Sequence, residues 1–309
     1  DNCVLQGADP TQLGLSGSTT IPVVVGGNAQ DLKPETSRSW VGKIQIAPPI
    51  SDTVNLNIAV SFFDIKIKDT IRSVSGSTIL NRCFNDAPGL ASPFCARVKR
   101  DAGRPAILNF ASLIDASFLN LGEVRSQGID VNTRISTSFY NIFDQVMDVS
   151  WTTNVTFQTK LAEKIFADDD ADDLLGDFGN PKTSLSSVLT FSIEKYQLNL
   201  SSRYFTGTHA SLAAEQNANT LCTEYNPSHT LVGQPSVRGI CSAAGAFYQD
   251  MSLTYTGEKF TVTAGISNVF DKSPPLVSMG AGSNRANRVV SSGYDQFGRS
   301  FFLNLTARF

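Results

Sequence analysis

The last twelve residues, Gly298 to Phe309, constrain this chain more than any other stretch. Counting back from Phe309, every second residue is apolar: Phe309, Ala307, Leu305, Leu303, Phe301. Arg308, Thr306, Asn304 and Ser300 lie between them, and only Phe302 breaks the polar row. A strand has a side-chain period of two, so one face is apolar and the other wet. Two folds could use such a strand: a soluble sheet covered on one side, or a sheet whose apolar side meets lipid.

Composition narrows the choice only by exclusion. The chain has 309 residues, a net charge of -3 and 41% hydrophobic residues, so it is neither disordered nor polyionic. Lys and Arg are scattered without an aromatic-interleaved basic patch, which argues against nucleic acid as a partner. The longest apolar run, Ile21-Pro22-Val23-Val24-Val25, ends in Gly26-Gly27 and is far too short for a spanning helix. A membrane role would therefore require a closed barrel, because only helices and barrels satisfy their backbone in lipid.

The same two-residue alternation recurs along the chain. A strand is expected from about Ser37 to Ala47, stopped by Pro48-Pro49. In the next, Val54, Leu56, Ile58, Val60 and Phe62 alternate with polar or small residues. The pattern then shifts to Phe63, Ile65 and Ile67 against Asp64, Lys66 and Lys68. That shift predicts either a bulge or the point where the strand leaves lipid. Gln127 to Ser136 and Met147 to Phe157 alternate cleanly, and two hairpins turn at Glu194-Lys195 and Gly257-Glu258. With the terminal segment, nine strands are expected. Long connections near 69–121, 161–182, 207–243 and 268–297 alternate with short ones. Short turns on one side and long loops on the other are the mark of a transmembrane barrel. The parity holds only if Ala106 to Leu119 is not a full crossing. Nine strands would leave two open edges, so the chain is expected to be completed by upstream sequence or a second polypeptide. The start at Asp1-Asn2-Cys3 suggests the same.

Five cysteines punctuate the loops: Cys3, Cys83, Cys95, Cys222 and Cys241. Cys83 with Cys95 and Cys222 with Cys241 are close in sequence within turn-rich segments, as expected of loop staples in an oxidising compartment. Cys3 is left over, either a free thiol or a bridge to an upstream segment. No catalytic constellation is present, and no enzyme activity, cofactor or metal is expected. His209 and His229 share one loop without the carboxylate spacing of a metal site, and read as polar loop residues. The run Asp168 to Asp173 lacks a calcium-loop glycine pattern and reads as a solvated charge run. For a small-molecule ligand, the planar and cationic loop residues Tyr225, His229, Arg285, Arg288 and Tyr294 are the candidates.

Five stretches carry a family resemblance, in family order over most of residues 31–309. They are Leu32-Lys33-Pro34-Glu35-Thr36-Ser37, Phe63-Asp64-Ile65-Lys66-Ile67-Lys68-Asp69-Thr70-Ile71, Gln127-Gly128-Ile129-Asp130, Gly265-Ile266-Ser267-Asn268-Val269-Phe270-Asp271-Lys272, and the terminal Phe309. Together they resemble the C-terminal part of the β-barrel of TonB-dependent outer-membrane receptors. Cys83-Phe84 and Phe94-Cys95-Ala96-Arg97 resemble a loop of the large proteobacterial branch.

The resemblance implies an all-β chain holding about nine C-terminal strands of a 22-stranded barrel in the bacterial outer membrane. Residues 1–35 would then be an extracellular loop segment and 36–309 barrel wall with extracellular loops, the C-terminus being periplasmic. It further implies an upstream half with a plug, coupling to TonB, contact with outer-membrane lipid and lipopolysaccharide, and energy-coupled uptake of a siderophore, cobalamin or oligosaccharide. A passive porin or a docking barrel in a surface complex is the alternative.

Overall fold

The computed structural model describes residues 23–25, 32–85, 91–99, 113–140, 144–166, 169–210, 241–277, 288–289 and 293–308. They fall into two compact units. The first draws on the ranges 1–37, 67–124 and 164–170, the second on 38–66, 125–163 and 171–309.

One large sheet makes up most of the second unit, while residues 36–37, 67–72, 119–124 and 164 of its strands are counted in the first. Its long strands are β2 (Thr36–Ile46), β3 (Val54–Arg72), β6 (Leu119–Tyr140), β7 (Val146–Lys164), β9 (Thr183–Ile193), β10 (Tyr196–Phe205), β13 (Ala246–Thr256), β14 (Phe260–Ser267) and β17 (Ser300–Ala307). They are hydrogen-bonded in that order, each to the next. This is the nine-strand meander expected from the alternation. The two-residue β8 (Asp172–Asp173) adds to β7.

Register gives the sheet two faces of opposite character. Trp151 pairs with Leu189, Leu189 with Leu200, Leu200 with Met251, Met251 with Ile266 and Ile266 with Phe301, an apolar row across six strands. One residue along runs Ser150, Thr190, Asn199, Ser252, Gly265 and Phe302. Phe302, the exception in the terminal pattern, is accounted for here: a Cβ on Gly265 would lie 2.3 Å from its Cζ, so the ring lies over the glycine. Phe63 covers Gly128 in the same way. Such pairs shield a glycine backbone that has no side chain of its own.

The pattern shift at Phe62-Phe63 is not a bulge. Asn55 and Asn57 line a cleft with Arg134, and the Phe63 ring meets Gly128. Residues 55, 57 and 63 thus share the face of 128 and 134 with no residue inserted. Asp64 lies on the other face, where Arg125 donates to it from Nε at 3.1 Å and from Nη2 at 2.8 Å. The apolar row simply gives way to charge beyond Phe62.

Aromatic residues edge the apolar face. Next to the short turns, Tyr196 and Tyr255 have ring centroids 5.2 Å apart, and Tyr255 and Phe260 5.7 Å. Towards the other end, Phe247, the register partner of Tyr204, meets Phe270 at 6.1 Å.

The first unit has an aqueous-type core. The short strands β1 (Val23–Val25), β4 (Val98–Lys99) and β5 (Leu113–Ala116) form a small sheet, with β5 parallel to β1 and antiparallel to β4. Helix α1 (Gly76–Asn85) packs Ile79 and Cys83 against Val74, Phe94, Val98, Ile114, Ala116 and Phe166. Leu113–Ala116 is therefore a four-residue strand in this small sheet, in keeping with the expectation that the segment is not a crossing; residues 106–112 lie outside the described residues. A Cys83–Cys95 disulfide, Cα atoms 4.5 Å apart, ties the helix down as expected.

The acidic run is not merely solvated. Asp169 pairs with Arg82, whose guanidinium also stacks 4.1 Å from the Phe166 ring centroid, and accepts the Phe166 amide. Asp173 accepts the Leu175 amide at 3.0 Å. In β5, hydrogen bonds from Ser117, with Arg97 nearby, hold the Asp115 carboxyl below its usual range.

Two asparagines give the resemblance motifs a physical role. Asn120 accepts the Lys33 amide and donates to the carbonyls of Lys33 and Asp69, while Glu35 accepts the Ile71 amide. These bonds dock Lys33-Pro34-Glu35 on the end of β3. Asn268, fully buried at φ +52°, takes the carboxylate of Asp250 on its amide and donates to Asp295 and the Lys272 carbonyl. It accepts the Lys272 amide as well, so one side chain pins both ends of the last loop.

Candidate functional site

The polar face carries the chemistry. Arg203 on β10 is paired in register with Tyr248 on β13, and its guanidinium carbon stands 5.3 Å from that ring's centroid. Tyr248 is 1% exposed, and its hydroxyl accepts the Asp295 amide at 3.1 Å. Phe205 meets Tyr294 edge-on at 4.9 Å, and the Tyr294 hydroxyl donates to the Ala244 carbonyl at 2.6 Å. Burial pushes the Tyr294 phenol above its ordinary range. A packed aromatic platform thus presents one exposed cation, which the quadrupole of Tyr248 helps to hold.

Among the described residues nothing nearby neutralises that cation. Asp130 accepts from Thr156 at 2.7 Å, Asp148 from Ser138 at 2.5 Å and Asp250 from the Asn268 amide at 2.7 Å, so the carboxylates of this face serve local bonds. Neither Arg203 nor Arg134 has an acceptor among the described residues. Arg134 lines a cleft of about 420 Å³ with Asn55, Asn57, Ser51 and Ser136 near the Pro48-Pro49 turn. Hydroxyls and amides around the Arg134 guanidinium, which has no acceptor among the described residues, make a surface suited to anionic, oxygen-rich groups.

Of the expected loop candidates, Tyr294 belongs to this platform. Tyr225, His229 and Arg285 lie outside the described residues, as do Cys3 and Cys222. Arg288 is in β16 (Arg288–Val289), paired with β15 (Leu276–Val277). Tyr294 is 6% exposed, within the platform. Cys241 is disulfide-bonded, to a partner outside the described residues. His209, in β11 (Thr208–His209), which pairs with β12 (Ser242–Ala243), has Nδ1 at 2.8 Å from the Ala210 carbonyl oxygen and 3.5 Å from Asp177. Among the described residues no three metal-ligating side chains converge. Arg203 and Tyr248 escaped the sequence reading, which searched the loops; the alternation places both on the polar face, but only register sets them side by side.

The sequence profile of the family described as TonB dependent receptor-like, beta-barrel matches residues 6–269. The chain belongs to this family. Its strands superpose on those of solved receptors and a transporter. With the outer membrane transporter YddB of Escherichia coli, the TM-score is 0.54 at 11% identity, covering 94% of this chain and 35% of that one. The siderophore receptor PirA of Acinetobacter baumannii gives 0.51 at 18%, covering 91% and 32%. A mutant of the ferric enterobactin receptor PfeA of Pseudomonas aeruginosa gives 0.51 at 16%, covering 90% and 32%. At such identities the likeness establishes the fold alone. The receptor chain spans about a third of the length of these structures. No curated protein matches it. The family is one of TonB-dependent receptor barrels, and YddB is an outer membrane transporter.

Proposed function

We propose that this chain is the C-terminal barrel wall and outer loops of a receptor that takes up a scarce anionic ligand across the outer membrane, driven through TonB. The partners of this reading are an upstream half bearing the plug and the remaining strands, TonB acting through that half, and lipid around the wall. The short turns face the periplasm. The long connections face outward, stapled by Cys83–Cys95 and Cys222–Cys241, with Cys3 bridged upstream.

The observation that carries the ligand class is Arg203, an exposed guanidinium held over Tyr248 on the polar face, near the long-loop ends of the strands. Of the siderophores, cobalamins and oligosaccharides such receptors could take, an anionic ferric chelate best matches an unpaired guanidinium. The wall agrees in height with this reading. From Tyr196 to Tyr204 is about 27 Å along the strand, close to the ~25 Å apolar band flanked by aromatics in such barrels.

Whole-cell uptake of a radiolabelled ferric tris-catecholate by the intact receptor tests it. Uptake should stop when the proton gradient is collapsed. In Arg203→Gln it should fall about tenfold, the loss of one charge-assisted contact. Uptake that survives the uncoupler would make the protein a passive porin. Uncoupler-sensitive uptake unchanged in Arg203→Gln would remove the ligand assignment.

A further inference from the structure

A second cavity, in the first unit, has no part in that reading. It encloses about 380 Å³ between Lys68 and Asp69 of β3, Asn120, Leu121, Gly122 and Glu123 of β6, and Lys164 and Phe166 at and just past the end of β7. Its rim bears two ammonium groups, Lys68 and Lys164, neither with an acceptor among the described residues. Leu121 and Phe166 supply apolar surface, and Phe166 is itself fixed by Phe94, ring centroids 5.0 Å apart, and by Arg82.

The cavity is held open by unusual backbone. Asp69 and Gly122 both have φ +56°. A Cβ on Gly122 would lie 1.7 Å from the Lys164 carbonyl oxygen, so β6 and the end of β7 touch there as only glycine permits. Thr70 locks the same corner by donating its hydroxyl to the Leu121 carbonyl, and Asn120 holds the Asp69 carbonyl at 2.8 Å. Left-handed non-glycine backbone of this kind persists only where its surroundings over-determine it, and such positions concentrate at ligand sites.

We infer that this cavity binds a phosphorylated sugar. Two ammonium groups without acceptors suit a phosphate, the compact charge for which lysine serves as a point partner. The Asp69 carboxylate, which also has no partner among the described residues, is acceptor-only and suits sugar hydroxyls. Glu123, which also lines the cavity, already has a partner in the fold. The apolar surface of Leu121 and Phe166 suits the C–H face of a pyranose ring. The assignment is independent of whether the receptor transports anything.

The intact receptor in detergent is titrated calorimetrically with glucosamine 1-phosphate, glucosamine and inorganic phosphate. Native mass spectrometry then follows adducts from mixed micelles of bisphosphorylated lipid A or of phosphatidylcholine. Glucosamine 1-phosphate should bind and free glucosamine should not, with inorganic phosphate weaker than the sugar phosphate. The double variant Lys68→Gln/Lys164→Gln should bind at least about tenfold more weakly, and Lys68→Arg/Lys164→Arg should recover most of the loss. Lipid A adducts that disappear in the Gln variant would identify a membrane glycolipid as the source; binding of the soluble sugar phosphate alone would identify a free one. The site is overturned if neither phosphorylated probe binds, if inorganic phosphate binds as well as the sugar phosphate, or if the Gln variant is unchanged. Should that variant fail to fold, salt decides on the unmodified receptor, because affinity must fall steeply from about 50 to about 500 mM.

Discussion

The two units bury their apolar residues by opposite rules. In the first, Ile79, Cys83 and Ile114 are at most 2% exposed, packed as in any water-soluble domain and stapled by a disulfide. In the second, Leu303 is 74% exposed, Phe301 73% and Ile44 72%, and the residues of β2 and β17 are exposed throughout. Apolar residues turned outward in an orderly row are not a failed core. Such a row is what the lipid-facing side of a transmembrane barrel presents. On the function proposed above the two units answer to two solvents, and the same substitution should have different consequences in each.

The largest effect is expected in the aqueous core. Ile79→Ala should destabilise the first unit by about 2–5 kcal/mol, cavity term included, seen as faster hydrogen exchange across α1 and β5. Exchange in β13 and β14 should be unchanged, and equal loss in both units would end the distinction. Next comes the wall: Leu303→Arg should weaken folding into bilayers by up to ~2–4 kcal/mol, whereas Asn304→Arg, on the opposite face, should cost less than ~1 kcal/mol. Comparable costs would mean that the faces are wrongly assigned. Smaller again, Gly265→Ala should cost about 1–3 kcal/mol, because the Phe302 ring must move aside. Coupling it with Phe302→Ala in a double-mutant cycle should recover much of that loss.

The smallest change concerns Tyr294, where Phe removes the bond to Ala244 for about 1 kcal/mol. Its phenol is raised in the folded state. The stability it contributes is therefore complete below the unfolded value of about 10 and is lost as pH rises through the higher folded value. Tyr294→Phe should flatten that alkaline fall in an unfolding titration.

How much of this was legible in the residues depends on the range of the interaction. The phases of β7, β10, β13, β14 and β17 could be read directly, since alternation is a property of neighbours two apart. So could the parity of short and long connections. β6 was seen only from Gln127 to Ser136, although it runs from Leu119 to Tyr140. Beyond the apolar band this face carries charge, as at Arg125, so the contrast between faces vanishes while the hydrogen bonding continues. The first unit's core could not be read at all. Val74, Phe94, Ile114 and Phe166 belong to separate segments that share no period.

By itself, then, the sequence determined the strand, its two faces and the rhythm of the loops, because these follow from the pleat and from the contrast between lipid and water. The tertiary structure alone decided which residues meet across strands. Arg203 over Tyr248, Phe302 over Gly265, Asp64 with Arg125 and the lysines around the second cavity all depend on register, and a shift of one residue would exchange every face.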